Sequence, residues 1–143
     1  MKQRIVYLSA IALLSIAACK KREDPVTSST DVAGKGGSAT IKATPKHHSR
    51  YIDSCTVYIK YNTLDLPSAV FSASQYDDHV ECVKLNDSLG TAIATFPSLK
   101  KGKYFIYGVG WDKKGPYAVT GGLPITITED KTYDVTLAVS EGD

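Results

Sequence analysis

Beyond Gly37 the apolar residues of the chain recur at every second position, in short runs bounded by Gly, Pro, Asn and Asp, and no stretch carries a convincing helical period. Ala39, Ile41 and Ala43 alternate with Thr40, Lys42 and Thr44. Cys55, Val57, Ile59 and Tyr61 alternate with Thr56, Tyr58 and Lys60. Further runs cover residues 79–85, 91–96 and the aromatic-rich 103–111. Leu123, Ile125 and Ile127 form a sixth, with a short piece at 117–120 ahead of it, and Tyr133, Val135, Leu137 and Val139 form the last. About seven strands in roughly 100 residues is the size of an antiparallel two-sheet sandwich, and there is no room for the crossover helices of a parallel sheet. The pattern predicts an all-β domain over residues 38–143.

Turn chemistry marks the boundaries. Asn86-Asp87-Ser88-Leu89-Gly90 reads as a hairpin loop, Lys100-Lys101-Gly102 precedes the fifth run, and Asp112 to Pro116 follows it. Glu129-Asp130-Lys131 joins the last two. Residues 62–78 contain Pro67 and show no period. A connection of that length is usually functional or disordered, so it is expected to form an exposed, variable surface.

The N-terminal segment has a different character. Lys2 and Arg4 precede an apolar stretch of 14 residues from Ile5 to Ala18. A spanning helix needs about 20 apolar residues, so the stretch suits the core of a secretory signal over residues 1–18. Ile16-Ala17-Ala18-Cys19 resembles the bacterial lipobox. That resemblance implies cleavage before Cys19 and acylation of its thiol and new amine, which gives the protein a membrane partner through the lipid. Lys20 stands where an Asp would resemble an inner-membrane retention signal, so the resemblance implies the outer membrane. Lys20-Lys21-Arg22-Glu23-Asp24 is similar to the charged signals that direct some Bacteroidetes lipoproteins to the cell surface, and it reads equally as a solvated charge run. The periplasmic face and the cell surface both stay open. Residues 19–37 have almost nothing to bury and are expected to form a flexible tether with a span of roughly 23 Å.

A second resemblance lies in Gly90-Thr91-Ala92-Ile93-Ala94-Thr95-Phe96-Pro97-Ser98-Leu99-Lys100-Lys101-Gly102-Lys103-Tyr104-Phe105-Ile106-Tyr107. This block is similar to the pattern of prealbumin-like sandwiches, among them carboxypeptidase regulatory-like domains and collagen-adhesin B-type repeats. It implies that Phe96 and Leu99 plug one end, that Gly102 permits the turn, and that Tyr104 and Ile106 point inward. Adhesin repeats of this kind often join a Lys on the first strand to an Asn on the last. Lys42 fills the first role, but residues 132–139 contain no Asn, so no isopeptide bond is expected. Transthyretin-like hydrolases end in Tyr-Arg-Gly-Ser, and this chain ends Val-Ser-Glu-Gly-Asp.

Charge narrows the function. The chain has 17 Lys+Arg against 15 Asp+Glu; without Lys2 and Arg4 the balance is 15 to 15. A neutral mature chain speaks against nucleic acid and against a strongly acidic ligand. No G-x-S-x-G elbow, H-E-x-x-H or phosphate loop occurs, so no enzyme and no cofactor are expected.

The remaining candidates are few. With Cys19 acylated, Cys55 and Cys82 form an even pair in an oxidising compartment and are expected to bond. Trp111, the single tryptophan, sits beside Asp112 and Tyr117. An aromatic with polar neighbours on a loop suits stacking on a sugar or anchoring a protein, while a lone Trp at a strand end is more often a core plug. Together with Tyr76 of the long connection these residues form the expected partner surface. The leading expectation is a non-catalytic outer-membrane or cell-surface lipoprotein that binds a protein or glycan. The alternative is a periplasmic zinc- or copper-binding lipoprotein. His47, His48 and His79 would supply its ligands from loops, aided by Asp53 or Asp77 and Asp78.

Overall fold

The structure, a computed structural model, describes residues 32–52, 54–85, 87 and 89–142. The expectations placed on residues 1–31, lipidation of Cys19 among them, lie outside the described residues. The described chain is all-β. Its strands are β1 (Lys35–His47), β2 (Arg50–Tyr51), β3 (Cys55–Tyr61), β4 (Asp78–Glu81), β5 (Val83–Lys84), β6 (Ala92–Leu99), β7 (Gly102–Asp112), β8 (Tyr117–Ile127) and β9 (Thr132–Glu141). The only helical turn among the described residues is a single 3-10 turn at Ala73–Gln75, and no helix there is long and apolar enough to cross a membrane.

The strands form one hydrogen-bonded path, β4-β3-β7-β8-β9-β1-β6-β5, with β2 folded back on β1. All pairs are antiparallel except the first and last strands, β1 and β9, which run parallel from Thr40↔Thr132 to His47↔Val139. The path nearly closes on itself in a barrel-like shape. β5 follows β4 after one residue, Cys82, where the chain leaves β3 and pairs with β6 instead. Although β8 and β9 are 11 and 10 residues long, they pair only at Val119↔Glu141 and Thr120↔Ser140, so their link is thin for its length.

Alternation sends one row of each strand inward. Ala39, Ile41 and Ala43 of β1, Val57 and Ile59 of β3, Phe96 of β6, Tyr104 and Ile106 of β7, Ile125 and Ile127 of β8, and Leu137 and Val139 of β9 form a continuous core. Burial of each of the Val, Ile, Leu and Phe side chains among these contributes about 1.5–3 kcal/mol. Phe96, Leu99, Tyr104 and Ile106 are fully buried, as the sandwich-like block implied. Gly102 has φ +143°, a conformation that side chains other than glycine's rarely allow.

Three boundaries differ from the sequence reading. The folded part begins before residue 38: Ala33 is buried, the Gly34 N–H donates to the Tyr104 hydroxyl at 2.9 Å, and Lys35 to Gly37 open β1. The run at 79–85 is two strands, and the pieces at 117–120 and 123–127 are one. The long connection is also less open than expected. Phe71 and Tyr76 fold onto Tyr58 and Tyr107 of the outer sheet face, with Phe71 stacked 5.6 Å from Tyr107 and Tyr76 stacked 6.0 Å from it.

Candidate functional site

β1, β7 and β9 end at the same end of the molecule, and β8 begins there. Each inward row finishes in a polar residue. On β1 the row Ala39, Ile41, Ala43, Pro45 continues to His47, which is 0% exposed. On β7 the row Tyr104, Ile106, Gly108, Gly110 ends at Asp112. The β9 row ends at Glu141, two residues past Val139, and the β8 row starts at Tyr117. Period two therefore delivers two carboxylates and a phenol around one buried imidazole.

The contacts are close. His47 Nδ1 lies 2.8 Å from Asp112 Oδ2, and His47 Nε2 lies 3.2 Å from Glu141 Oε2. Arg50 Nη2 donates to Asp112 Oδ2 at 2.7 Å, and the Lys114 N–H donates to Asp112 Oδ1 at 2.9 Å. Tyr117 meets the His47 ring edge-on, 5.6 Å between centroids, and its hydroxyl interacts with the Glu141 carboxylate; the Glu141 backbone N–H, then this contact, lower the Glu141 pKa. The bond to Asp112 raises the His47 pKa against the desolvation that lowers it, and Glu141 adds to the rise. Asp112 is held down to about 2, first by His47, then by the Lys114 N–H, with the Arg50 charge also helping.

His48 follows in the two-residue turn to β2. It is exposed, has φ +54°, and its ring centroid lies 4.2 Å from that of His47. Ligand atoms of His47, His48 and Glu141 all lie within 4.8 Å of one another.

The outward neighbour of Asp112 is Trp111, 45% exposed. It walls a cleft of ≈ 400 Å³ that Arg50, Tyr51, Lys84, Leu89, Lys114 and Asp112 also line. Its other side borders a second, more polar hollow of ≈ 410 Å³ that Cys55, Cys82 and Glu81 also line.

The structure thus sorts the expected site residues. Trp111 is a surface aromatic, not a core plug. Asp112 shares its cleft but points the opposite way, inward, and is already bonded to His47, Arg50 and Lys114; it is not an exposed partner contact. Tyr117 is also inward and does not line the cleft. Tyr76 belongs to the aromatic cluster over Tyr58 and Tyr107, where burial, then the neighbouring Tyr107, raise its pKa to about 12. Of the three histidines, His47 and His48 come together and His79 does not. His79 is on β4 opposite Tyr58, with its ring stacked on that residue at 5.6 Å. Tyr58 pairs with Tyr107, five residues from Asp112 along β7, which is roughly 17 Å at about 3.3 Å per residue. His47 is also a strand residue rather than the loop residue expected. Cys55 and Cys82 stand opposite each other as free thiols, Cys55 buried, with the Cys82 N–H donating to the Cys55 carbonyl at 2.9 Å. The bond expected between them is not formed in the structure.

Glu141 and Arg50 escaped the sequence reading. For Glu141 the signal was present: it continues the parity of Val135, Leu137 and Val139. For Arg50 there was none, since its place depends on the turn at His48.

In comparisons with known proteins, the chain matches no family model, no curated protein and no solved structure.

Proposed function

We propose that this chain is a non-catalytic lipoprotein of the outer membrane, anchored through Cys19, that binds a glycan in the cleft beside Trp111. The observation that carries the reading is the exposed Trp111 ring walling a cleft of ≈ 400 Å³ among polar side chains. A flat aromatic face beside hydrogen-bonding groups suits a sugar ring, which presents C–H bonds on its faces and hydroxyls at its edge.

The strand directions support a membrane-distal cleft. β1 starts at the end where the chain enters and finishes at the cleft, and its 13 residues cover roughly 40 Å. A lipid on Cys19 therefore anchors the far end. We read the architecture as a prealbumin-like sandwich, with β4-β3-β7-β8 facing β9-β1-β6-β5. The thin β8–β9 link supports this, as does Gly108, where an added Cβ would lie 2.8 Å from Leu137 Cδ2 of the facing strand.

Trp111 is the only tryptophan, so intrinsic fluorescence reports on the cleft directly. Titration with chitin-, cellulose- and starch-derived oligosaccharides should produce a saturable change for one class, and Trp111→Ala should abolish binding in a calorimetric titration while the melting temperature stays nearly unchanged. Undiminished binding by Trp111→Ala would remove the cleft from the account. A large fall in melting temperature would assign the ring a packing role.

A further inference from the structure

The second feature of this end is independent of the glycan reading. A neutral imidazole offers one donor nitrogen and one acceptor nitrogen, so it would ordinarily meet one acceptor and one donor. His47 instead has carboxylates at both nitrogens, and a second imidazole lies beside it. Asp112 takes Nδ1, which leaves Nε2 directed toward Glu141. A metal-bound histidine is commonly held in this way, with a carboxylate on the nitrogen away from the metal.

Distances discriminate further. Zinc bonds to nitrogen and oxygen of about 2.0–2.1 Å place two ligands of a tetrahedral ion roughly 3.3 Å apart. Nε2 of His47 and Oε2 of Glu141 are 3.2 Å apart, already the edge of such a tetrahedron. His48 is exposed on a turn, and its ligand atom lies within 4.8 Å of the other two, so rotation of its ring brings it into range. Two imidazoles and a carboxylate are a ligand set suited to zinc.

We propose that His47 Nε2, a ring nitrogen of His48 and the Glu141 carboxylate bind one zinc ion, with a fourth position open on the solvent side. The proton on Nε2 passes to solvent as the metal takes its place, and the Asp112 bond at Nδ1 persists. Arg50, bonded to Asp112 at 2.7 Å, holds that carboxylate in place behind His47. Asp112 also lines the Trp111 cleft, so one residue links the two features.

The test uses the full chain purified without a histidine tag, stripped with chelator and titrated with zinc chloride in a calorimeter, with magnesium chloride as the control. The expected result is about one equivalent of zinc bound and no magnesium. Glu141→Gln and His48→Asn should each weaken zinc binding at least about tenfold. His79→Ala should leave it unchanged. Asn tolerates the positive φ of residue 48, so that variant keeps the turn and carries the test if Glu141→Gln folds poorly. Circular dichroism of the metal-free variants verifies the fold. Less than about a tenth of an equivalent bound by the wild-type protein would overturn the proposal. So would wild-type affinity in His48→Asn, or a loss caused by His79→Ala.

Discussion

The hydroxyl of Tyr104 sits among apolar side chains at the end where the chain enters, and it is fully bonded there. It accepts from the Gly34 N–H at 2.9 Å and donates to the Lys100 carbonyl at 2.7 Å. One side chain thus ties the segment before β1 to the turn before β7. Tyr104→Phe keeps the ring and leaves the buried Gly34 N–H without this partner, which costs about 1–3 kcal/mol. Urea unfolding should show that loss as a lower midpoint at unchanged slope. His47 teaches the opposite lesson about legibility. The row Ala39, Ile41, Ala43 is plain in the sequence, and two more steps of the same period reach His47. Pro45 and the paired histidines read locally as loop, and tertiary pairing with β9 prevails: Pro45 faces Leu137 and His47 faces Val139.

At the level of elements, the pairing of β3 with β4 decides what the cysteines can do. Thr56↔Glu81 is the last assigned pair, and the bond from the Cys82 N–H to the Cys55 carbonyl extends the same register by one step. Residues opposed in this way have Cα atoms about 5.5 Å apart, inside the range a disulfide accepts. The neighbouring Cys82 thiol and burial raise the Cys55 pKa, and Cys82 is the more accessible of the two thiols. Exposed to a periplasmic thiol oxidase, the pair should lose two protons and two electrons and form the Cys55–Cys82 bond. Closing a loop of 28 residues contributes about 3–4 kcal/mol in the chain-entropy model. Protein isolated from the envelope under denaturing, non-reducing conditions should therefore show no thiol reactivity at these positions, and reduction should lower its melting temperature. Reactive thiols at both positions would contradict this.

The elements also show where sequence reading stops. The inward rows of β3, β6, β7 and β9 were legible because alternation reports the face directly. β2 was not, because two residues carry no period. The split at Cys82 was not either, since a strand that changes partners keeps its alternation while its neighbours change. The long connection looked open because its aromatic residues are widely spaced. Phe71 and Tyr76 find their partners on β3 and β7, a pairing of distant residues that local pattern cannot report.

Over the whole molecule, polarity is arranged along the strand axis. The chain enters at the Tyr104 end, and the ionisable cluster and the Trp111 cleft lie at the other. Under the proposed lipid anchor, Cys19→Ala should abolish incorporation of labelled palmitate and move the protein from the membrane fraction to the soluble one. Retention in the membrane without label would assign the anchor elsewhere. The convergence of His47, Asp112, Tyr117 and Glu141 could in principle be followed from four rows of period two. Their meeting at one end could not, because it depends on the parallel pairing of β1 with β9, which joins the first and last strands of the fold.

The most direct test of the binding account is an amide chemical-shift map. The isotope-labelled protein would be titrated with the oligosaccharide that most strongly changes Trp111 fluorescence. The account predicts shifts confined to Arg50, Tyr51, Leu89, Gly90 and Trp111 to Lys114, with the Trp111 indole N–H moving furthest. Shifts centred on Tyr58, Tyr76 and Tyr107, with the Trp111 signals unmoved, would contradict it and place recognition on the aromatic sheet face.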